Sequence, residues 1–413
     1  MQTDVLIVGA GPTGLALATI LKRAGIDCVI VDRLKAGQHT SRAAVLHAHT
    51  LEILEALGVS ERLSEEGLKL THFRIRDRDQ ILVRLRFDRL PTRFAHLLML
   101  PQDRTEAILT DALIAAGGTV RRGHTVETLL ESLDDVTAIV TSDGRRETIH
   151  ARYVVGADGM HSLVRRSAGI SFEGTRYEES FVLADVAMSW ALGREEVSLF
   201  FSPAGLVVVA PLPIPDRYRI VATLEDAPEH PGKADVQALL DTRGPKCGAA
   251  KVIDVLWSSR FRLHHRVANQ YRRGRFLLVG DAAHVHSPAG GQGMNTGLVD
   301  AYVLGHLLAD VVSGRRDDSH LDRYEALRRP AAQQVLRLAG RLTRLATVRS
   351  VLGRTLRNLA LQMVDRLSMA RHQFEMNLSG LSRRAAAALE SDCPQSTRVI
   401  EASDREVGTQ SVA

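Results

Sequence analysis

The sequence predicts an α/β protein: a parallel-sheet nucleotide-binding domain, interrupted by an antiparallel-sheet domain and followed by C-terminal helices. Three glycine-rich turns carry this expectation. The first is DVLIVGAGPTGLALATIL at the start of the chain, the second YVVGADGMHSLVRR from Tyr153 to Arg166, and the third GRFLLVGDAAHVHSPAGGQGMNTGLVDA from Gly274 to Ala301. Each couples an apolar strand to a helix through glycines. Turns so far apart in sequence suit one long ligand held at both ends.

The first turn meets each physical requirement of a dinucleotide site. Val5 to Val8 is an apolar run suited to a strand buried on both faces, Leu15 to Leu21 continues as helix, and CVIVD from Cys28 to Asp32 is a second strand ending in a carboxylate. Gly9 permits the tight turn, Gly11 lets backbone approach a pyrophosphate, and Gly14 lets helix pack on strand. Asp32 is placed to accept hydrogen bonds from a ribose. In the second turn a strand ends at Gly156 and is followed by Asp158, Gly159, Ser162 and Arg165. Between the second and third turns, FVLADVAMSW, EVSLFF, GLVVVAP and RYRIVATLE read as successive strands over 181–225, separated by Gly, Pro and Asp turns. With residues 72–97 they would form the interrupting sheet, for which Phe73, Phe94, Phe181, Trp190, Phe200 and Phe201 are candidate pocket-lining side chains. In the third turn the strand Phe276 to Val279 delivers Gly280 and Asp281, and the loop Pro288 to Gly293 opens a helix near Asn295.

Towards the end of the chain, Val335, Leu338, Leu342 and Leu345, then Leu352, Leu356, Leu359 and Met363, recur at helical spacing with arginines on the other faces. Two amphipathic helices are expected, packed on the nucleotide domain or on a second subunit, with a membrane surface or a protein partner as the alternatives. After Gly380 the residues turn polar and small, so the last stretch reads as a flexible tail, too short for a further folded domain.

Composition narrows the function. A chain of 413 residues suggests about two domains. The net charge of +5 is spread without a like-charge run, which speaks against nucleic acid as partner and suits phosphate-bearing small molecules. Three cysteines, Cys28, Cys247 and Cys393, form no CxxC pair, so the sequence predicts no metal site and a cytoplasmic setting. No apolar run is long enough to cross a membrane, and Asp4 with the interrupting glycines argues against a secretory leader.

The motifs GAGPTG, GADGMHSLVR and GDAAHVHSPAGGQGMNTGLVDA, in this order and at these separations, resemble those of the single-component flavoprotein aromatic hydroxylases, class A, with the para-hydroxybenzoate hydroxylase fold. SRAAVLHAHTLEILEALG, LPQDRTEAIL, FEGTRYEESFVLADV and FRLHHRVANQYRRGR are similar to the branch of phenol hydroxylase and rifampicin monooxygenase. The resemblance covers roughly residues 1 to 345. It implies a Rossmann-like FAD-binding domain of the GR2 type over 1–71, 98–175 and 265–340, and a substrate-binding sheet domain over 72–97 and 176–264. C-terminal helices over 341–385 and a tail over 386–413 complete the expected division.

The resemblance also implies the cofactor contacts. Arg42 would lie along the FAD pyrophosphate, Gln102 would approach the flavin or its ribityl chain, and Asp281 would bond a ribityl hydroxyl. The loop from Pro288 to Met294, through Gly291, Gly293 and Met294, would place backbone N–H groups near flavin N1 and O2, with Asn295 nearby at the helix N-terminus and Pro288 nearest the chemistry. Gly9, Gly11, Pro12, Thr13, Gly14, Asp32, Arg33, Val126, Asp158, Gly159 and Gly280 complete the expected set. In such enzymes NADH or NADPH reduces FAD, O2 adds at C4a, and the hydroperoxyflavin hydroxylates an aromatic or polyketide-like molecule. His47, His284 and His286 are candidate bases for a phenolic substrate. Alternatives are halogenation, quinone or isoprenoid chemistry at a membrane, and a flavin-holding sensor. Halogenation predicts a WxWxIP segment, and Trp190 and Trp257 stand alone. The oligomer expected is a monomer or homodimer.

Overall fold

The computed structural model describes residues 1–37, 43–224, 227–246, 250–288, 290–346, 348 and 350–389. Arg42, and the expected flexible tail from residue 390 onward, lie outside the described residues.

Five strands make the parallel core of the first sheet, in the spatial order Phe276–Leu278, Arg145–Gly156, Gln2–Val8, Cys28–Asp32 and Val120–Arg122. Val5, Leu6, Ile7, Val154, Val155 and Leu277 are wholly buried, as a sheet covered on both faces requires. The register aligns Val8 with both Gly156 and Val31, and Gly156 with Leu278. Four strands therefore end level, and Gly9, Asp32, Ala157 and Val279 leave the sheet along one edge. The chain moves from Gln2–Val8 to Cys28–Asp32 on one side and returns as Arg145–Gly156 on the other. That reversal makes the C-terminal edge between them a topological switch point, where sheets of this kind bind ligands.

The second sheet has eight strands, in the order His284–Val285, Lys251–Ala268, Phe172–Ser189, Arg217–Leu224, Gly205–Pro211, Glu196–Ser202, His72–Asp77 and Gln80–Arg86. It is antiparallel except where Glu196–Ser202 meets His72–Asp77 in parallel, a join between segments distant in sequence. Strand alternation gives it two faces. Phe181, Val197, Leu199 and Phe201 belong to the core shared with the first sheet, while Val182, Ala184, Val186 and Met188 pack in a second cluster with the helix Lys233–Arg243. Two of the expected pocket aromatics fall on that outer side. Phe200 and Trp190 pack edge to face at 6.0 Å in the second cluster, so they fill core and line no pocket on the shared face.

The two C-terminal amphipathic helices differ. Asp322–Ala346 buries Val335 and Leu342 as expected. Val351–Arg366 turns its apolar stripe outward: Leu352 is 70% exposed, Leu356 and Leu359 58% each, and Met363 63%. Its inner face is instead Leu361 and Arg357, whose guanidinium lies 5.0 Å over the Phe201 ring and donates to the Leu345 carbonyl and to Asp77. Arg84 and Asp365 tie the same helix to the strand Gln80–Arg86. Among the described residues the stripe is therefore not packed on the nucleotide domain, and Leu361 with Arg357 takes that side of the helix. Among the described residues, no helix is long and apolar enough to cross a membrane.

Candidate functional site

The three glycine-rich turns close on one another at the edge of the first sheet. A Cβ at Gly9, whose φ is +105°, would lie 2.3 Å from the Ala157 carbonyl oxygen, so the first turn touches the second. A Cβ at Gly14 would lie 2.0 Å from the Gly9 oxygen, which excludes any larger residue beneath the helix Pro12–Arg23. Thr13 reaches the third turn: its Oγ1 lies 2.9 Å from the Cβ position of Gly280 and 2.5 Å from that of Gly297. Arg165 closes the triangle, donating from Nη1 to the Ala282 carbonyl at 2.7 Å and from Nη2 to the Met160 carbonyl at 2.7 Å. Phe172 covers its guanidinium at 3.9 Å.

The loop ahead of the helix Gly293–Val312 is fastened by side chains from remote segments. Asn295 acts like a strand partner to residues 45–47: its Nδ2 donates to the Val45 carbonyl at 2.9 Å, and its Oδ1 accepts from the His47 N–H at 2.8 Å. The same amide donates to the Gly291 carbonyl at 2.8 Å. Gln292 donates to the Leu378 carbonyl at 2.7 Å, and Arg383 donates to Gln292 Oε1 at 3.0 Å. Gly290 and Gly291 have φ values of +89° and +63°, in the left-handed region that favours glycine.

His47 is buried against this loop. Its Nε2 lies 2.8 Å from the Gly290 carbonyl and 3.1 Å from Gln292 Nε2. A carbonyl only accepts, so Nε2 carries the proton and Nδ1 keeps a lone pair. Nδ1 is buried and without a partner among the described residues. Burial holds the ring neutral by pushing its pKa down to about 4, against the opposing Gly290 bond. Burial does the same to His286, also to about 4, and His286 Nε2 is likewise buried and unpaired.

Behind the loop lies Asp300, fully buried on the helix Gly293–Val312. Its Oδ2 lies 2.6 Å from His284 Nε2 and accepts from the Gly280 N–H at 3.3 Å, while Oδ1 accepts from Arg328 Nε at 2.8 Å. Burial acts to raise the carboxyl, but His284 and Arg328 outweigh it and its pKa lies below the ordinary value. Tyr271 stacks on His284 at 6.1 Å. His284 thus belongs to a structural network and is remote from the role of a substrate base.

The remaining expected residues divide. Asp32 accepts from the Ala10 N–H at 2.7 Å and the Leu34 N–H at 2.8 Å, so its carboxylate shapes the first turn. Asp158 caps a short helix through the Leu163 N–H at 2.7 Å; its Oδ1 is buried without a partner among the described residues, and burial holds the carboxyl above its ordinary value. Gln102 accepts from the Ala43 N–H at 3.2 Å and donates to Glu106 at 2.8 Å. Asp281 is exposed at the edge, Pro12, Pro288 and Met294 are half-buried there, and Arg33 is exposed on the loop after Asp32. Val126 is buried in the strand Thr125–Glu131, opposite Val140. Sequence reasoning missed Asp300, Arg328, Gln292 and Arg383. A lone acid inside the apolar helix GMNTGLVDAYVLG was a readable signal for Asp300; Arg383 had none.

The arrangement fits a dinucleotide with a flavin at one end. Among the described residues, chain neighbours aside, no heavy atom lies within 4 Å of a Cβ built at Gly11, Gly159 or Gly293, so one glycine from each turn faces open space. The helices Pro12–Arg23 and Gly293–Val312 begin there without a side-chain cap, leaving first-turn N–H groups for an anion or a carbonyl. A family model described as FAD binding domain matches residues 2–339. The chain belongs to this family of flavoproteins, the class A aromatic hydroxylases. FAD is its cofactor. It is 36% identical over 350 residues to 6-methylpretetramide 4-monooxygenase of Streptomyces rimosus, covering 84% of this chain and 63% of that one. It is 39% identical over 349 residues to the aromatic compound monooxygenase YhjG of Bacillus subtilis, covering 82% and 67%. The solved structure of OxyS anhydrotetracycline hydroxylase from Streptomyces rimosus superposes with a TM-score of 0.79 at 35% identity, covering 92% of this chain and 76% of that one. The chain thus spans about two thirds of the length of the curated relatives it matches.

Proposed function

We propose that this protein is a monooxygenase that uses NAD(P)H and O2 to hydroxylate an aromatic or polyketide-like small molecule, acting in the cytoplasm as a monomer or homodimer. The observation that carries the reading is the closure of all three turns on one edge, with an open glycine from each. The names of the relatives support the substrate class: 6-methylpretetramide in one, anhydrotetracycline in another and an aromatic compound in the third.

Bound FAD supplies two-electron reduction by the nicotinamide and activation of oxygen. The chain's residues bind, orient and exclude water. The first turn of Pro12–Arg23 offers N–H groups to the pyrophosphate, for which the family resemblance also names Arg42; Asp281 and Gln102 address the ribityl chain. Asp158 and Gly159 flank the same edge. The first turn of Gly293–Val312, with Pro288, Gly291 and Met294, addresses the pyrimidine end of the ring, and Asn295 contributes its backbone N–H because its amide is engaged. His47 and His286 each keep a buried ring nitrogen without a partner among the described residues, but burial disfavours the protonated ring, so either is a weak base for a phenolic proton. On this reading 1–71, 98–175 and 265–340 serve the cofactor, and 72–97 with 176–264 cover the substrate. Phe73, Phe94, Phe181 and Phe201, all in the shared core, keep that side dry.

The test is substrate-stimulated NADPH oxidation, with oxygen uptake and product analysis, across phenols and polycyclic polyketides. One compound should accelerate flavin reduction and return a product heavier by one oxygen. No stimulation and no product across both sets would sink the proposal.

A further inference from the structure

Beyond residue 339, where the family match ends, the chain returns to the flavin loop. Ser379 accepts from the His49 N–H through its carbonyl at 3.2 Å, Arg384 pairs with Glu52, and Arg328 donates to the Ala386 carbonyl at 3.1 Å. The segment Leu378–Ala387 thereby forms the back wall of the loop that His47 and Gln292 hold.

We propose that Arg383 in this wall is a positioning residue whose positive charge favours the reduced flavin over the oxidised one. The inference rests on the proposal that the Pro288–Gly293 loop addresses the flavin ring. Arg383 Nη2 donates to Gln292 Oε1 at 3.0 Å, and its Nη1 donates to the Asn377 carbonyl at 3.1 Å. Among the described residues no carboxylate pairs with it. Its neighbours differ: Arg328 is matched by Asp300 and Arg384 by Glu52. Each nearby acid is therefore already taken, and the charge left over belongs to Arg383.

Burial lowers the Arg383 pKa to about 10, with Arg328 acting in the same direction, so the guanidinium stays charged at neutral pH. Gln292 fixes it one side chain from the loop and precedes the helix Gly293–Val312, whose N-terminus has the same sign. Reduction adds negative charge to the pyrimidine edge of a flavin. Two positive sources on that side, in a poorly solvated wall, stabilise the added charge. The segment thus contributes through electrostatics and need not touch the ring.

The test is a redox titration of the FAD-loaded protein against a reference dye, for wild type, Arg383→Gln and Arg383→Lys. Arg383→Gln should lose about tenfold in its preference for reduced flavin, which a two-electron couple reads as about 30 mV more negative. Arg383→Lys should stay near wild type, and the dissociation constant for oxidised FAD should hardly move. Should Arg383→Gln fail to fold, Gln292→Glu places a carboxylate against Arg383 and should shift the potential the same way. An unmoved potential, or weakened oxidised-FAD binding with no change in potential, overturns the inference. Failure of the wild type to bind FAD overturns the reading beneath it.

Discussion

The turn at Gly9–Gly14 and the loop at Pro288–Gly293 are both glycine-rich entries into a helix, yet they are held in opposite ways. The first is held by backbone at close range: the Gly9 oxygen lies 2.0 Å from the missing Cβ of Gly14 and the Ala157 oxygen 2.3 Å from that of Gly9, and Asp32, a strand away, bonds the Ala10 N–H. The second is held from a distance by His47, Asn295, Gln292 and Arg383, spanning more than three hundred residues of chain. A pyrophosphate site needs rigid backbone close to the ligand. A loop that must meet a flavin ring and then its substrate gains from anchors that can be altered without rebuilding the sheet.

The sharpest way to break the comparison is Gly14→Ala. The added Cβ meets backbone that cannot move away, so the helix must shift; the expected outcome is protein without retained flavin, read by absorbance of the purified fraction. Asp300→Asn should come next. It leaves Arg328 buried without its carboxylate and should cost about 3–5 kcal/mol in urea unfolding, because a broken buried pair strands a charge. If Asp300→Asn unfolds like wild type, the third turn is not held by its network.

Acid should separate the two regions as well. His47 takes a proton at about 4 when folded, against an ordinary value of 6.5. The unfolded chain therefore binds more protons between those values, and stability is lost as pH falls from 6.5 towards 4. This one group contributes up to about 3 kcal/mol. His47→Gln should flatten that limb of a pH series of unfolding midpoints; an unchanged slope would contradict the burial of a neutral ring. The smallest effect belongs outside both regions. Leu359→Gln, on the exposed stripe, should change unfolding by no more than about 0.5 kcal/mol.

Much of the fold was legible because strands buried on both faces and glycines at close approaches leave local marks. The strands Gln2–Val8, Cys28–Asp32 and Glu196–Ser202 lie where the apolar runs predict them. What stayed hidden depends on which surface covers which. Alternation shows that Phe200 and Phe201 point oppositely, but only the packing shows which of them shares the flavin-side core. Helical spacing reveals the stripe Leu352–Met363 without showing that Arg357 takes the inner face. At the site, the glycines and Asp281 were readable as motif. The use of Asn295 as a clamp, and of Asp32 on Ala10, depends on partners that a one-dimensional pattern does not name.

The central claim is that three turns scattered over the sequence build one FAD site. Equilibrium titration of the flavin-free protein with FAD, followed by quenching of flavin fluorescence, tests it directly. The account predicts saturation at one FAD per chain, with Gly14→Ala abolishing it. A protein that purifies colourless and shows no saturable quenching would contradict the account.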